Sequence, residues 1–420
     1  MLNTVSSAFK VDELRSKILF TLAMIFVFRV GAHIPTPGVD LEAIARFIES
    51  GGALFGLVDV ISGGAFKNFS VFAMSITPYI NASIIMQLLT VVIPTLEQWA
   101  KEGVEGRKKI TEITRYFTVI LAFIQSTGIY FALGNAIPER GVGAYIVFVT
   151  TLTAGTAFLM WLGEQITEKG IGNGISIIIF AGIVASVPGA ITNLWDLLQA
   201  GSISWFSILL LVVIGIAVIA AIIFIQEGQR RIPVQYAKRV VGRKVYGGQS
   251  THIPLKVNQA GVIPVIFASS LLIFPTTIAS YFPGNVVADW IANYFAWGSV
   301  LHTIFFAALI IGFTFFYTAI TFNPMDVADN MKKHGGFIPG LRPGRPTADY
   351  LNKVMVRLSL AGAIFLALIA VMPNFVLLLT KIPNVYFGGT ALLIVVGVAL
   401  ETMKQMESQM LMRHYQGFIK

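Results

Sequence analysis

Apolar residues in this chain come in long blocks separated by shorter polar stretches. The blocks fall near residues 18–34, 71–94, 117–137, 144–162, 175–191, 205–225, 260–282, 300–322, 354–372 and 388–402. Most approach the ~20 residues a helix needs to cross a hydrocarbon core. The pattern predicts ten membrane-spanning helices, the last trimmed by Glu401 and Lys404. The leading MLNTVSSAFKVDELRSK runs into Ile18–Ile34 with no small-residue cleavage site behind it. The block therefore reads as an uncleaved first span, not a removable signal peptide.

One stretch breaks the simple alternation. From Gly56 the chain reads GLVDVISGGAFKNFS, then continues without a break into VFAMSITPYINASIIMQLLTVVIP, ending at Pro94. The second part is long enough to span; the first is too short and too polar. Yet Val58, Val60, Ile61 and Phe66 make the first part more apolar than an ordinary exposed loop. Such a segment sits at membrane depth only where it lines or fills a protein cavity. It is either a re-entrant piece followed by a helix with an inward face, or an amphipathic loop on the outer surface.

Composition agrees with a polytopic membrane protein: 55% of the 420 residues are apolar and 12% charged. With no cysteine, disulfides, thiolate metal sites and cysteine nucleophiles are excluded. The net charge of +9 gains meaning from its placement. An even number of spans puts both termini on one side. Sorting Lys and Arg by alternate loops gives 25 on that side and 4 on the other, with Arg29 inside the first span. The terminal side is then cytoplasmic by the positive-inside rule. Residues 226–258 carry Arg230, Arg231, Lys238, Arg239, Arg243, Lys244 and Lys256 against Glu227 alone. Residues 323–357 carry Lys332, Lys333, Arg342, Arg345, Lys353 and Arg357 against three Asp, whereas 97–116 is nearly balanced. Both basic loops far exceed what joins neighbouring helices. Fixing topology and touching anionic lipid headgroups needs only a few such charges. The excess fits electrostatic docking of a large acidic partner, protein or ribonucleoprotein.

Five spans precede Ser202 and five follow it, which divides the chain into halves 1–200 and 201–420. An odd number per half means that, if the halves share a fold, they are inverted repeats about an axis in the membrane plane. Spans 2 and 7 would then be equivalent, and the connection at 192–204 a hinge. No enzyme signature is present: no HExxH, no P-loop, no GxSxG with partners in reach. The five histidines are scattered, so no metal site and no cofactor are expected. The span interiors hold no Asp or Glu, which removes the relay of an ion-driven transporter. Arg29 is the one clear intramembrane charge, and snorkelling explains it. Ile76 and Ile80 share a helix face beside Pro78 and Asn81; Ile175 and Ile179 repeat that spacing after GIGNG. Ile266 follows Pro264, and Ile394 lies in GGTALLIVVG. Periodicity alone does not separate these six from core or lipid-facing isoleucines.

The blocks SITPYINASIIMQLLTVV, MWLGEQITEKGIGNGISIIIFAGIV, RRIPVQYAKR, STHIPLKVNQAGVIPVIFASSL, FNPMDVADNMKKHGGFIPGLRPG and FGGTALLIVVGV resemble the SecY family. This is the channel subunit of the bacterial protein translocase, and the likeness runs from about residue 10 to the tail in one register. It implies an all-α polytopic membrane fold, two inverted five-helix halves forming a clamshell around an hourglass pore. It also implies that 56–70 is a plug, with Val60, Ile61, Ser62, Gly63, Gly64 and Phe66 in it. Ile76, Ile80, Ile175, Ile179, Ile266 and Ile394 match the family's pore ring. An apolar constriction of that kind dewets and blocks ions, yet parts around a passing chain. Spans 2 and 7 match a lateral gate, with Asn81, Gln87, Asn258 and Phe274 at gate positions. Interhelical hydrogen bonds average only about 0.6 kcal/mol in membranes, so a seam of that kind, including a pairing of Gln87 with Asn258, is closed yet openable.

The basic loops match the docking site for the ribosome or the SecA motor, with Arg239, Arg243, Lys244 and Arg342 as the residues concerned. The resemblance thus implies a passive channel in the bacterial cytoplasmic membrane, with both termini cytoplasmic. It would conduct unfolded, signal-bearing preproteins across the membrane and release helices into lipid. SecE, SecG, SecA and the ribosome (with contact to its RNA) are the implied partners, together with anionic lipids. The rival classes are an inverted-repeat solute transporter and a poreless insertase or scaffold. Departures from the family pattern are a short connection at 137–145, a tail ending soon after RHYQGFIK, and few plug charges beyond Asp59 and Lys67.

Overall fold

The computed structural model describes residues 9, 11–44, 59, 62–133, 137–138, 141–236, 239–241, 244–246, 250–280, 285–295, 299–380 and 388–417. In chain order the first helices are α1 (Asp12–Gly31), α2 (Thr77–Val92), α3 (Pro94–Lys101), α4 (Val104–Leu133), α5 (Val142–Lys169), α6 (Gly174–Gln199) and α7 (Trp205–Glu227). Four strands follow: β1 (Gln229–Tyr236), β2 (Arg239–Val241), β3 (Lys244–Tyr246) and β4 (Ser250–Lys256). The chain continues through α8 (Ile263–Ser280), α9 (Val286–Tyr294), α10 (Val300–Thr321), α11 (Pro324–Lys333), β5 (Gly336–Phe337), α12 (Arg345–Thr380) and α13 (Gly389–Gly417).

Helices occupy all ten apolar blocks. Among the described residues seven of them are long and apolar enough to cross a membrane, or eight if the bent pair α2–α3 counts as one. Of the others, α8 is apolar but shorter. The apolar run of α1 is interrupted by Asp12, Glu13, Arg15, Lys17 and Arg29.

The second span differs from its sequence expectation. It was expected from Val71 but becomes helical only at Thr77, because Ser75 adopts a left-handed backbone (φ 52°) that a helix cannot contain. Pro78 then sits in the first turn, where its missing N–H costs nothing. The 16 residues of α2 rise ~24 Å, and a 99° bend at Ile93 turns the chain into α3. Residues 71–76 instead lie across α5 so closely that a Cβ on Gly155 would overlap the Val71 carbonyl oxygen.

Packing divides the spans into two sets. In the first, α1 packs on α5 and α6, α2 on α4, α4 on α5, and α5 on α6. The second set follows the same scheme: α7 on α12 and α13, α8 on α10, α10 on α12, and α12 on α13. Counting spans in order, each of these neighbour relations in the first five recurs in the last five. The sets meet along two principal seams, α2 against α8 and α6 against α13. The five-residue link from Ala200 to Ser204 joins them, flanked by the edge-to-face pair Trp195–Trp205.

The basic loops contain regular structure. Strands β4, β1 and β5 form one antiparallel sheet that ties the two loops together, with Gln235 opposite Phe337 and Tyr236 opposite Gly336. Ile232 and Val234 of β1 point inward with Leu255 onto Met331, Ile338, Leu351, Val354 and Met355. Among the described residues these β elements are the departure from the all-α expectation, and they lie outside the apolar blocks.

Candidate functional site

The six isoleucines singled out in the sequence come from α2 and its N-cap, α6, α8 and α13. Ile76, Ile80, Ile179, Ile266 and Ile394 are buried in a single apolar cluster, and Ile175 packs against its edge. That cluster is shared by both helix sets and extends to Phe28 of α1 and Ala65. Ile175 differs from the other five, being half-buried with its Cδ1 lying over Gly163 of α5. The GIGNG motif explains this placement. Asn173 caps α6 by accepting from the N–H groups of Ile175 (3.1 Å) and Ser176 (3.3 Å). Gly174 lets the helix start against the Gly163 carbonyl, where any Cβ would overlap the oxygen.

Of the segment expected as a plug, Val60 and Ile61 lie outside the described residues. Ser62, Gly63 and Phe66 are buried and Gly64 is half-buried. Asp59 and 62–70 form a knot of short-range bonds. The Ser62 hydroxyl donates to the Asp59 carbonyl and accepts from Phe66 N–H, while the Asp59 carboxylate accepts from Lys67 N–H at 2.7 Å. Left-handed φ values at Gly63 (67°) and Gly64 (85°) make the reversal. Burial pushes the Asp59 carboxyl above its ordinary value, while the Lys67 N–H and ammonium act in the opposite sense.

This knot bridges two cores. Ala65 enters the cluster of the isoleucines, whereas Phe66 and Phe69 enter a second one with Ile44, Leu133, Phe148 and Leu152. It is also fastened to the end of α1: Thr36 N–H donates to the Phe69 carbonyl and Val71 N–H to the Ile34 carbonyl, both at 2.9 Å. The Arg29 guanidinium donates to the Gly63 carbonyl at 2.6 Å. Snorkelling does not describe this arginine, since its head is held inside the protein by a backbone oxygen. A lone cation within an otherwise apolar first span was the available sequence signal.

At the seam between α2 and α8, Asn81 and Asn258 are buried, and Gln87 and Phe274 are half-buried. The pairing of Gln87 with Asn258 is not formed. Gln87 donates to Ser83 Oγ one turn back (3.5 Å), and Asn258 donates to the Gly261 carbonyl (2.9 Å). In each case a partner within the same segment is nearer than the opposite helix. Asn258 Oδ1 is left buried with no hydrogen-bond partner.

The docking candidates lie in the loops that the sheet of β4, β1 and β5 (the β platform) ties together, outside its own strands. Arg239 and Lys244 belong to the β2–β3 hairpin, where Lys244 faces Val241 and Arg239 faces Tyr246. Arg243 lies outside the described residues. Arg342 is exposed on a turn between Gly340 and Gly344, both left-handed, and its carbonyl accepts from Thr347 Oγ1 at 2.8 Å. An ion pair that sequence reading missed joins α4 to α5, Arg115 Nε to Glu164 at 2.7 Å. Among the described residues there is no cluster of three or more His, Cys, Asp or Glu able to hold a metal.

These features define a class: a polytopic helical membrane protein whose two sets of five helices share one apolar cluster, with a compact glycine-turned segment against it. A family model described as SecY matches residues 70–403. The chain is 50% identical to the protein translocase subunit SecY of Halalkalibacterium halodurans, and 50% identical to that of Bacillus subtilis strain 168, over the whole of both partners. It is 49% identical to the Escherichia coli K12 subunit over 97% of this chain and 94% of that one. The chain belongs to the SecY family. Solved structures share the fold at lower identity. A protein conducting channel aligns with TM-score 0.68 and 20% identity, covering 94% of this chain and 92% of that one. Sec61 in the canine ribosome–channel complex from the endoplasmic reticulum aligns with TM-score 0.64, at 18% identity and the same coverage.

Proposed function

We propose that this protein is the channel subunit of a bacterial protein translocase, a gated path for unfolded polypeptide. The two helix sets are the inverted halves 1–200 and 201–420 of a clamshell, and both termini face the cytoplasm. Ile76, Ile80, Ile175, Ile179, Ile266 and Ile394 form the constriction, which excludes water when empty and parts around a chain because its side chains make no hydrogen bonds. The segment 56–70 closes the constriction as a plug. The α2–α8 seam is the lateral gate, through which signal sequences and membrane helices reach lipid. The observation that carries this reading is the shared apolar cluster, to which both halves and the plug segment contribute, in a chain of the SecY family.

Energy comes from outside the channel. The loops that β1, β4 and β5 tie together carry the β2–β3 hairpin and the 340–344 turn, and Arg239, Arg243, Lys244 and Arg342 in those loops dock SecA or the ribosome. SecE and SecG complete the complex, anionic lipids meet the basic loops, and ribosomal RNA is the one nucleic acid contacted.

The test uses liposomes containing this chain with SecE and SecG. SecA, ATP and an unfolded signal-bearing preprotein are added outside, and protease-protected preprotein is measured. Protection that needs ATP, and that falls at least about tenfold in Arg342→Glu while the complex stays assembled, is the expected result. Absence of protection with active SecA would favour a poreless insertase. Flux of a small solute without any motor would favour a transporter.

A further inference from the structure

The plug segment is held against three different elements, and one of its contacts is of a different kind from the rest. Its anchors to 34–36 are neutral backbone bonds, and its core contacts are apolar. The contact from α1 is ionic in character: the Arg29 guanidinium, half-buried, donates to the Gly63 carbonyl at 2.6 Å. A charged donor makes a hydrogen bond roughly twice as strong as a neutral one. Among the described residues no ion pair includes Arg29, so no carboxylate competes for its charge.

Gly63 is pinned from the other side as well. A Cβ there would stand 2.7 Å from Gly182 Cα on α6 and 3.0 Å from Arg29 Nη1. The residue thus lies between the arginine and the backbone of α6, in a left-handed conformation that other residues resist. The stacked pair Phe28–Phe72 lies next to Arg29 in sequence (centroids 6.2 Å apart, planes 16° apart), so the helix that carries the arginine is itself packed on the chain leaving the plug.

We infer that Arg29 is the positioning residue of the closed channel: a guanidinium latch that clamps the Gly63 carbonyl against α6 and so keeps the plug seated. The inference rests on reading 56–70 as a plug. The latch is suited to release, because its partner is a carbonyl. Moving the plug outward lets water hydrate both groups and leaves no carboxylate behind in the protein.

The test measures resting ion conductance in planar bilayers, with the chain in complex with SecE and SecG and no motor present. Four variants are compared: deletion of Ile61–Asn68, Arg29→Met, Arg29→Lys, and Arg29→Met within the deletion. The deletion is expected to conduct. Arg29→Met should raise resting conductance about tenfold over wild type, and Arg29→Lys, which keeps a charge but loses the fork, should raise it less. Within the deletion, Arg29→Met should add nothing, which a merely structural arginine would not satisfy. If Arg29→Met does not assemble, Gly63→Ala takes its place, because its new methyl disturbs the same contact. A silent deletion overturns the plug reading and the latch with it. A conducting deletion beside an Arg29→Met or Gly63→Ala channel at wild-type baseline overturns the latch alone, as does extra conductance from Arg29→Met in the deletion.

Discussion

Asp59 is a carboxylate in a poor place for one. Burial raises its pKa, and the Lys67 N–H and ammonium only partly offset that. The folded segment therefore holds this proton more tightly than the unfolded chain does. The stabilisation that follows is complete below the ordinary carboxylate pKa and is lost as pH rises through the raised value. At neutral pH the ionised form carries a desolvation cost that Asn does not, while an Asn oxygen still accepts from Lys67 N–H. Asp59→Asn should therefore melt slightly above wild type at pH 8, and the difference should shrink as the pH is lowered towards 4. Thermal melts of the purified complex across that range check it; a gap that widens in acid contradicts it. The seam offers a second residue-scale prediction. Because Gln87 and Asn258 each bond within their own segment, Gln87→Ala and Asn258→Ala should act additively on gate opening, within about 0.5 kcal/mol. A double-mutant cycle scored by signal-sequence insertion measures this, and coupling of 1 kcal/mol or more would show that the pair forms in the working channel.

At the scale of elements, the sequence was readable where one physical force dominates. Long apolar runs marked the helices that occupy the ten blocks, because the bilayer demands length and continuity of a kind that few soluble segments show. It was less readable where local geometry overrides composition. Residues 71–76 are as apolar as the helix they precede, yet the left-handed Ser75 and the close approach to Gly155 keep them out of it. The platform was hidden by its charges. In QRRIPVQY the alternation that buries Ile232 and Val234 spans only a few residues, and Arg230, Arg231 and Pro233 mask it. Its pairing with Gly336–Phe337, a hundred residues later, follows from tertiary packing that no local pattern encodes. The six isoleucines were likewise indistinguishable by periodicity, and the family resemblance selected them. If the platform is the motor's seat, Ile232→Ala should destabilise it by roughly 2–5 kcal/mol and reduce SecA-driven transport. The spans should keep wild-type protease resistance. Normal transport by a platform shown to be loosened, by faster hydrogen exchange in β1, would remove the platform from the docking site.

For the whole molecule, the repeated neighbour scheme explains how a passive channel can open. Each helix set has its own internal packing, and the sets meet mainly along α2–α8 and α6–α13. In the proposed clamshell one seam would part while the other acts as a hinge, with no need to unpack either half. Near the first seam, half-buried Gln87 makes only a long hydrogen bond and buried Asn258 leaves its side-chain oxygen without a partner, which lowers the cost of separation. We propose that the apolar cluster between the halves is the polypeptide's route. Because the chain has no cysteine, single cysteines report without background. A preprotein stalled in mid-transit, with a thiol-reactive group along its translocating part, should crosslink to Ile80→Cys, Ile266→Cys and Ile394→Cys. It should not react with Val213→Cys, which is exposed on the outer face of α7. Crosslinks at the outer-face position, with none in the cluster, would contradict the account.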